Sequence, residues 1–208
     1  MILSDWHDRL EQTERELGLD DGFRFVYGPA STLEKGKMAF LSLNPGRAPS
    51  GTIARQVADS RGNSYEMEKS TTRSPLTDQA LRCFSFFGFK PQNVMTGVVC
   101  PFRTPSWSDL SNSQRRRALA LGQEFWAAPL NRQDLDLIVC CSNEAARCVT
   151  TWTSAKLEAE VSAGWGKIEI SRYRTQRGVP ILTLPHLSRF KLFGRPASEA
   201  AIRVLMGL

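Results

Sequence analysis

Four short apolar runs, each ending in a polar turn and separated from the next by segments of helical spacing, constrain this chain more than any other feature. They are Lys37–Leu43, Asn93–Cys100, Leu135–Cys141 and Val179–Leu184. Runs of this length, rich in Val, Ile, Leu and Phe and closed by Asn, Pro, Gly or Ser, are strands buried on both faces. Between them, Pro75 to Phe89, Ser111 to Ala128 and the segment after Ser142 carry apolar residues at helical intervals, and Ala197 to Met206 adds a last helix. Strands alternating with helices require crossover connections and parallel pairing. The expected fold is therefore α/β, a three-layer α/β/α domain around a central, mainly parallel four-stranded sheet. Lys167 to Tyr173 reads as an edge strand, and Asp5 to about Gly18 as an opening helix capped by Ser4.

The 208 residues, 41% hydrophobic and 23% charged, suit one domain over 1–208, with no internal repeat or linker. Residues 47–75 are polar and read as a long surface segment. The N-terminus has no basic region leading into an apolar run, and no stretch reaches the roughly 20 apolar residues of a membrane span. The expectation is a soluble, cytoplasmic monomer. Five cysteines, an odd number without a C-x-x-C pair, read as reduced buried thiols. With two histidines and no paired spacing, the alternative of metal ligation is weaker, and neither metal nor cofactor is expected.

Charge is unevenly distributed. Residues 1–21 carry a net −5, leaving +11 of the total +6 on the rest of the chain. A basic body favours a polyanionic partner through counterion release.

In parallel α/β sheets, ligands bind outside the carboxyl ends of the strands. Here those ends are Asn44-Pro45-Gly46, Pro101-Phe102-Arg103, Ser142-Asn143 and Pro185-His186-Leu187-Ser188. Taken singly, Asn-Pro-Gly is an ordinary turn, a histidine after a buried strand an ordinary structural residue, and Arg115-Arg116-Arg117 a solvated helix face. Their joint position at the strand ends gives the functional reading.

Leu43-Asn44-Pro45-Gly46 resembles the first active-site motif of the uracil-DNA glycosylase superfamily, most closely its mismatch-specific and single-strand-selective branches. Leu184-Pro185-His186-Leu187-Ser188-Arg189 resembles the second motif, and Thr96 to Pro105 the intervening strand and Arg-containing turn. The resemblance covers about residues 37–195. It implies a DNA glycosylase that flips a damaged or deaminated base from single- or double-stranded DNA and hydrolyses its N-glycosidic bond. Asn44 would hold the water and His186 would donate to the base oxygen. Pro45, Gly46, Gly97, Phe102 and Ser188 would line the base site. Leu187 would be the wedge, and Arg103, Arg189, Lys191 and Arg195 would meet phosphates.

This chain also departs from the pattern. Gly97 stands where an Asn commonly reads the uracil edge, no acid closely follows Gly46, and Leu187 replaces a Pro. Cys100 has no partner sixteen residues on, where Arg115, Arg116 and Arg117 lie, so no iron–sulfur cluster is implied. The alternative is a catalytically silent DNA-binding or inhibitor protein. A third reading, an unrelated hydrolase or nucleotide-binding domain, lacks both G-x-S-x-G and a phosphate loop.

Overall fold

A computed structural model describes residues 3–47, 53–71 and 74–208. In chain order its elements are α1 (Leu3–Glu16), β1 (Gly22–Arg24), α2 (Thr32–Lys35), β2 (Met38–Ser42), β3 (Ala54–Gln56), α3 (Ser64–Glu68), α4 (Pro75–Phe86) and β4 (Val94–Val98). Then follow α5 (Asn112–Leu130), β5 (Leu137–Cys141), α6 (Asn143–Trp152), β6 (Lys156–Ser162), β7 (Glu169–Arg174), β8 (Pro180–Leu184) and α7 (Pro196–Met206).

The four expected strands pair in parallel in the order β4-β2-β5-β8. The sheet does not stop there. β7 joins β8 antiparallel and β6 joins β7 antiparallel, so the expected four-stranded sheet is a six-stranded mixed one. The expected edge strand near residue 170 is an inner strand. The edge is β6, whose exposed Lys156, Glu158 and Glu160 discourage pairing with another chain. At the opposite end the segment after β1 covers β4, with Tyr27 N–H donating to Thr96 O (2.8 Å) and Val98 N–H to Phe25 O (3.1 Å).

Alternation along the strands divides the core in two. Ala39 and Leu41 join Ile138 and Ile181 on one face, packed by Trp6 and Leu10 of α1, Phe125 and Trp126 of α5 and Val149 of α6. Met38 and Phe40 join Val139 and Leu182 on the other, under Cys83 and Phe84 of α4 and Ile202 and Leu205 of α7. All five cysteines are free and buried. The helix starts follow local chemistry. Ser74, Ser111 and Ser142 each accept an N-terminal amide, and Ser111 completes a capping box with Gln114. Ser4 lies inside α1 rather than capping it. Within 47–75, β3 and α3 break up the expected surface segment; residues 48–52 and 72–73 lie outside the described residues. Among the described residues no helix is long and apolar enough to cross a membrane, and no cluster of His, Cys, Asp or Glu suits a metal ion.

Candidate functional site

The chain leaving β2 reaches β4 on one side, and the chain leaving β5 passes through α6 to β6 at the opposite edge, from which β7 and β8 return toward β5. The switch point therefore falls between the carboxyl ends of β2 and β5, where open α/β sheets form their ligand crevice. Asn44 stands at one of these ends and Ser142 at the other.

Asn44 is half-buried, and its Nδ2 donates to Pro45 O (3.1 Å) and Thr104 Oγ1 (3.0 Å). The carbonyl acceptor fixes which end of the amide is nitrogen. With Nδ2 held inward, Oδ1 makes no hydrogen bond among the described residues and is available as an acceptor. Pro45 is buried and Gly46 exposed, with nothing within 4 Å of where a Gly46 Cβ would sit. The backbone of this turn is therefore open to close approach.

The loop after β8 is pinned from below. Leu187 is fully buried in the α4/α7 core, and its N–H points at Cys141 Sγ (3.3 Å). The wedge expected at Leu187 is thus corrected, because this side chain anchors the loop. His186 and Ser188 flank it, and both line a cleft beside β8. His186 Nδ1 lies 2.7 Å from Ser188 Oγ and accepts from Ser188 N–H (3.3 Å). A backbone amide can only donate, so Nδ1 is the acceptor and the neutral ring carries its proton on Nε2. Ser188, expected to touch substrate, gives its hydroxyl and amide to this imidazole.

Burial, and secondarily the Arg189 charge, hold His186 below its ordinary value of 6.5. Between the lowered folded value and 6.5 the unfolded chain binds more protons than the folded one. The stabilising contribution of neutral His186 is therefore complete above 6.5 and is lost as pH falls from 6.5 through the folded value. Nitrogen-detected NMR of labelled histidine should show an Nε2–H tautomer titrating below 6.5; an Nδ1–H tautomer would contradict this geometry.

The cleft has a volume of about 910 Å³. Its floor is the polar face of the antiparallel extension, where Ser171 Oγ donates to Glu160 (2.7 Å) beside Thr183. The start of α6 supplies Ser142 and Asn143, while Lys167 and Arg189 stand at its margins. Asn44 is not one of its walls, so the expected single cleft shared by Asn44 and His186 is not found. The two lie at the same end of the sheet with β5 between them. Strand spacing sets their backbones about 10 Å apart.

Three other expected site residues point elsewhere. Gly97 faces the α1/α5 core, where a Cβ would lie 2.6 Å from Phe25 O and 2.7 Å from the Trp126 ring. The polar β4 residue on the opposite side of the strand is Thr96, paired in register with Phe40. Phe102 is fully buried and bridges Phe23. Arg103 is 8% exposed and turns inward, its Nη1 donating to Gly46 O (2.9 Å). It braces the Asn44–Gly46 turn from behind and is not an exposed cation. Arg189, Lys191 and Arg195 are exposed as expected, although the Arg195 guanidinium lies 4.7 Å over the Trp165 ring. In the basic run of α5, Arg115 lies 5.4 Å from the Trp107 ring and Arg117 pairs with Glu16 (3.7 Å), as a helix face carrying structural contacts would.

Sequence reasoning missed a second polar cluster behind the Asn44 turn. It is built from Arg24, Tyr27, Asp59, Arg61 and Ser64, and the alternation Phe23-Arg24-Phe25 is its one sequence signal. Arg61 grips Asp59 through two guanidinium bonds (2.9 and 2.8 Å) and its backbone N–H (3.2 Å), and Arg24 adds a fourth (3.2 Å). The Arg24 guanidinium also covers the Tyr27 ring at 4.7 Å.

Together, fold and site define an α/β protein with a polar crevice at the carboxyl ends of its parallel strands. Comparison with models of protein families and with curated proteins finds no match to the chain.

Proposed function

We propose that this protein is a DNA glycosylase-like hydrolase, with a three-layer parallel core whose strand ends receive one flipped nucleotide. The observation that carries the reading is the pair of Ser188 groups, N–H and hydroxyl, on His186 Nδ1, which leave Nε2–H as a neutral donor lining the cleft. Cleavage breaks the bond between the sugar C1′ and the base nitrogen, and the bonding pair leaves with the base. Water supplies hydroxide character to C1′ and a proton to the departing base, giving free base and an abasic sugar. His186 would donate to the base oxygen as negative charge accumulates there, the term that usually weighs most. Asn44 Oδ1 would orient the water without strongly deprotonating it.

The second reading, a DNA-binding protein that retains the architecture without the reaction, is favoured by Gly97 and Leu187. Neither is placed to read or replace a base.

Both readings require DNA. With Arg103 turned inward, the exposed basic contacts rest on Arg189, Lys191 and Arg195. Affinity for a labelled oligonucleotide, followed by anisotropy over a salt series, should fall steeply. The Arg189→Ala/Lys191→Ala double variant should lower the log–log slope by about 0.7–0.9 for each lost contact. A flat salt dependence in the wild type would remove DNA as the partner.

A further inference from the structure

The backbone around Phe23 dictates an unusual juxtaposition. Arg24 N–H donates to Pro101 O (2.8 Å) and Arg103 N–H to Gly22 O (3.0 Å), with Phe23 and Phe102 bridged antiparallel between them. Side chains alternate across such a ladder, so two phenylalanines entering the core send Arg24 and Arg103 together to the other side.

These two guanidiniums carry more donors and more charge than the protein satisfies. Nε of Arg24 and Nε of Arg103 are each buried without a hydrogen-bond partner. Among the described residues the only hydrogen bond of the Arg103 side chain goes to a neutral carbonyl, Gly46 O. Arg24 Nη2 donates to Ser64 Oγ and to Asp59, whose carboxylate Arg61 already holds. Of the other acids nearby, Glu68 accepts the Thr77 hydroxyl (2.7 Å), and Asp21 acts on Arg103 without a hydrogen bond. Tyr27 is not a counter-ion either, since burial, partly offset by Arg24 and Arg103, raises its hydroxyl to about 12 and keeps it neutral. Arg103, buried without a carboxylate partner, beside the partly buried Arg24, which shares its one carboxylate with Arg61, suits an oxyanion supplied from outside, because guanidinium forks match phosphate oxygens. An opening of about 300 Å³, walled by Arg24, Arg61, Ser64 and Glu68 among others, leads to Arg24.

We propose that Arg24 and Arg103 form a phosphate-binding subsite behind the Asn44–Gly46 turn. The subsite stands on these residues and not on the glycosylase reading. The two meet if the phosphate belongs to a nucleotide, since Arg103 also braces that turn.

Inorganic phosphate titrated into the protein by calorimetry, at constant ionic strength made up with chloride, should bind saturably with one site per chain. Arg103→Met and Arg24→Met should each weaken it at least tenfold, and Arg103→Lys should retain part of the affinity. A purely bracing role for Arg103 predicts no saturable phosphate binding by the wild type, and that result overturns the proposal. Binding unchanged in both Met variants overturns it equally. Should Arg103→Met fail to fold, phosphorus NMR line broadening with the wild type and Arg24→Met decides by the same criteria. A short single-stranded oligonucleotide that displaces phosphate identifies a phosphodiester as the source. Failure to displace it assigns the subsite to free phosphate or a phosphomonoester, leaving the subsite intact while counting against DNA at this turn.

Discussion

Replacing His186 by alanine should slow single-turnover base release about 100-fold or more, the usual loss when one preorganised donor to a developing anion is removed. Ser188→Ala should do less. It removes one hydrogen bond worth about 1 kcal/mol and so loosens the tautomer about fivefold while leaving the imidazole in place. Asn44→Ala should also cost less than His186→Ala, because Asn44 has no titrating group and only orients water. The order of the three rates is the informative quantity. An Asn44→Ala loss exceeding that of His186→Ala would reverse the division of labour argued from their hydrogen bonds.

The largest stability effect is expected at Gly122, in the middle of α5. A Cβ there would lie 1.9 Å from Val99 O and 3.3 Å from the Trp152 ring, so Gly122→Ala must lift α5 away from the end of β4. Beside this contact Trp126, fully buried, donates its Nε1–H to Val98 O (2.8 Å), so the displacement also strains a buried hydrogen bond. Overpacking against backbone, which cannot rotate aside, places the cost at about 3 kcal/mol or more. Urea unfolding should show a lowered midpoint at an unchanged slope. A loss under about 1 kcal/mol would show that α5 is not seated as described. The same geometry changes the expectation for Gly97→Asn. The new side chain would meet Phe25 O and Trp126 rather than a base, so it should destabilise the fold without creating a uracil reader.

The parallel strands were legible because each is buried on both faces and leaves an unbroken apolar run, as in Leu137–Cys141. β6 was not, although Leu157, Ala159 and Val161 alternate with Lys156, Glu158, Glu160 and Ser162. Its Lys, Glu and Ala residues are poor strand formers, and at the sheet edge little burial reinforces the pattern. β1 and β3, three residues each, are too short to show any period.

Sequence placed Asn44 and His186 just past buried parallel strands, where the structure has them, but assigned the wrong neighbours. Gly97 and Phe102 sit within or just past β4, and which face each takes depends on register and on the bridge to Phe23, neither of which the residues declare. Leu187 follows a chemically conspicuous histidine, yet an apolar side chain next to a buried strand is worth more inside the core than at the surface. Arg103 reads as a basic surface residue, and only the fold reveals Gly46 O beside it. The Arg24 cluster draws on the end of β1, the irregular segments at Tyr27 and at Asp59 to Arg61, and the start of α3, with α2, β2 and β3 between them in the chain, so only the folded chain assembles it.

The proposed role of His186 is in a base-releasing reaction at the ends of the parallel strands. It is tested most directly by mass-spectrometric detection of free base when excess wild-type protein is incubated with oligonucleotides bearing uracil and other damaged bases. At least one base should be released, leaving an alkali-labile abasic site, at a rate about 100-fold or more lower with His186→Ala. Equal rates for the two proteins, or no base released from any substrate that the wild type demonstrably binds, would contradict it.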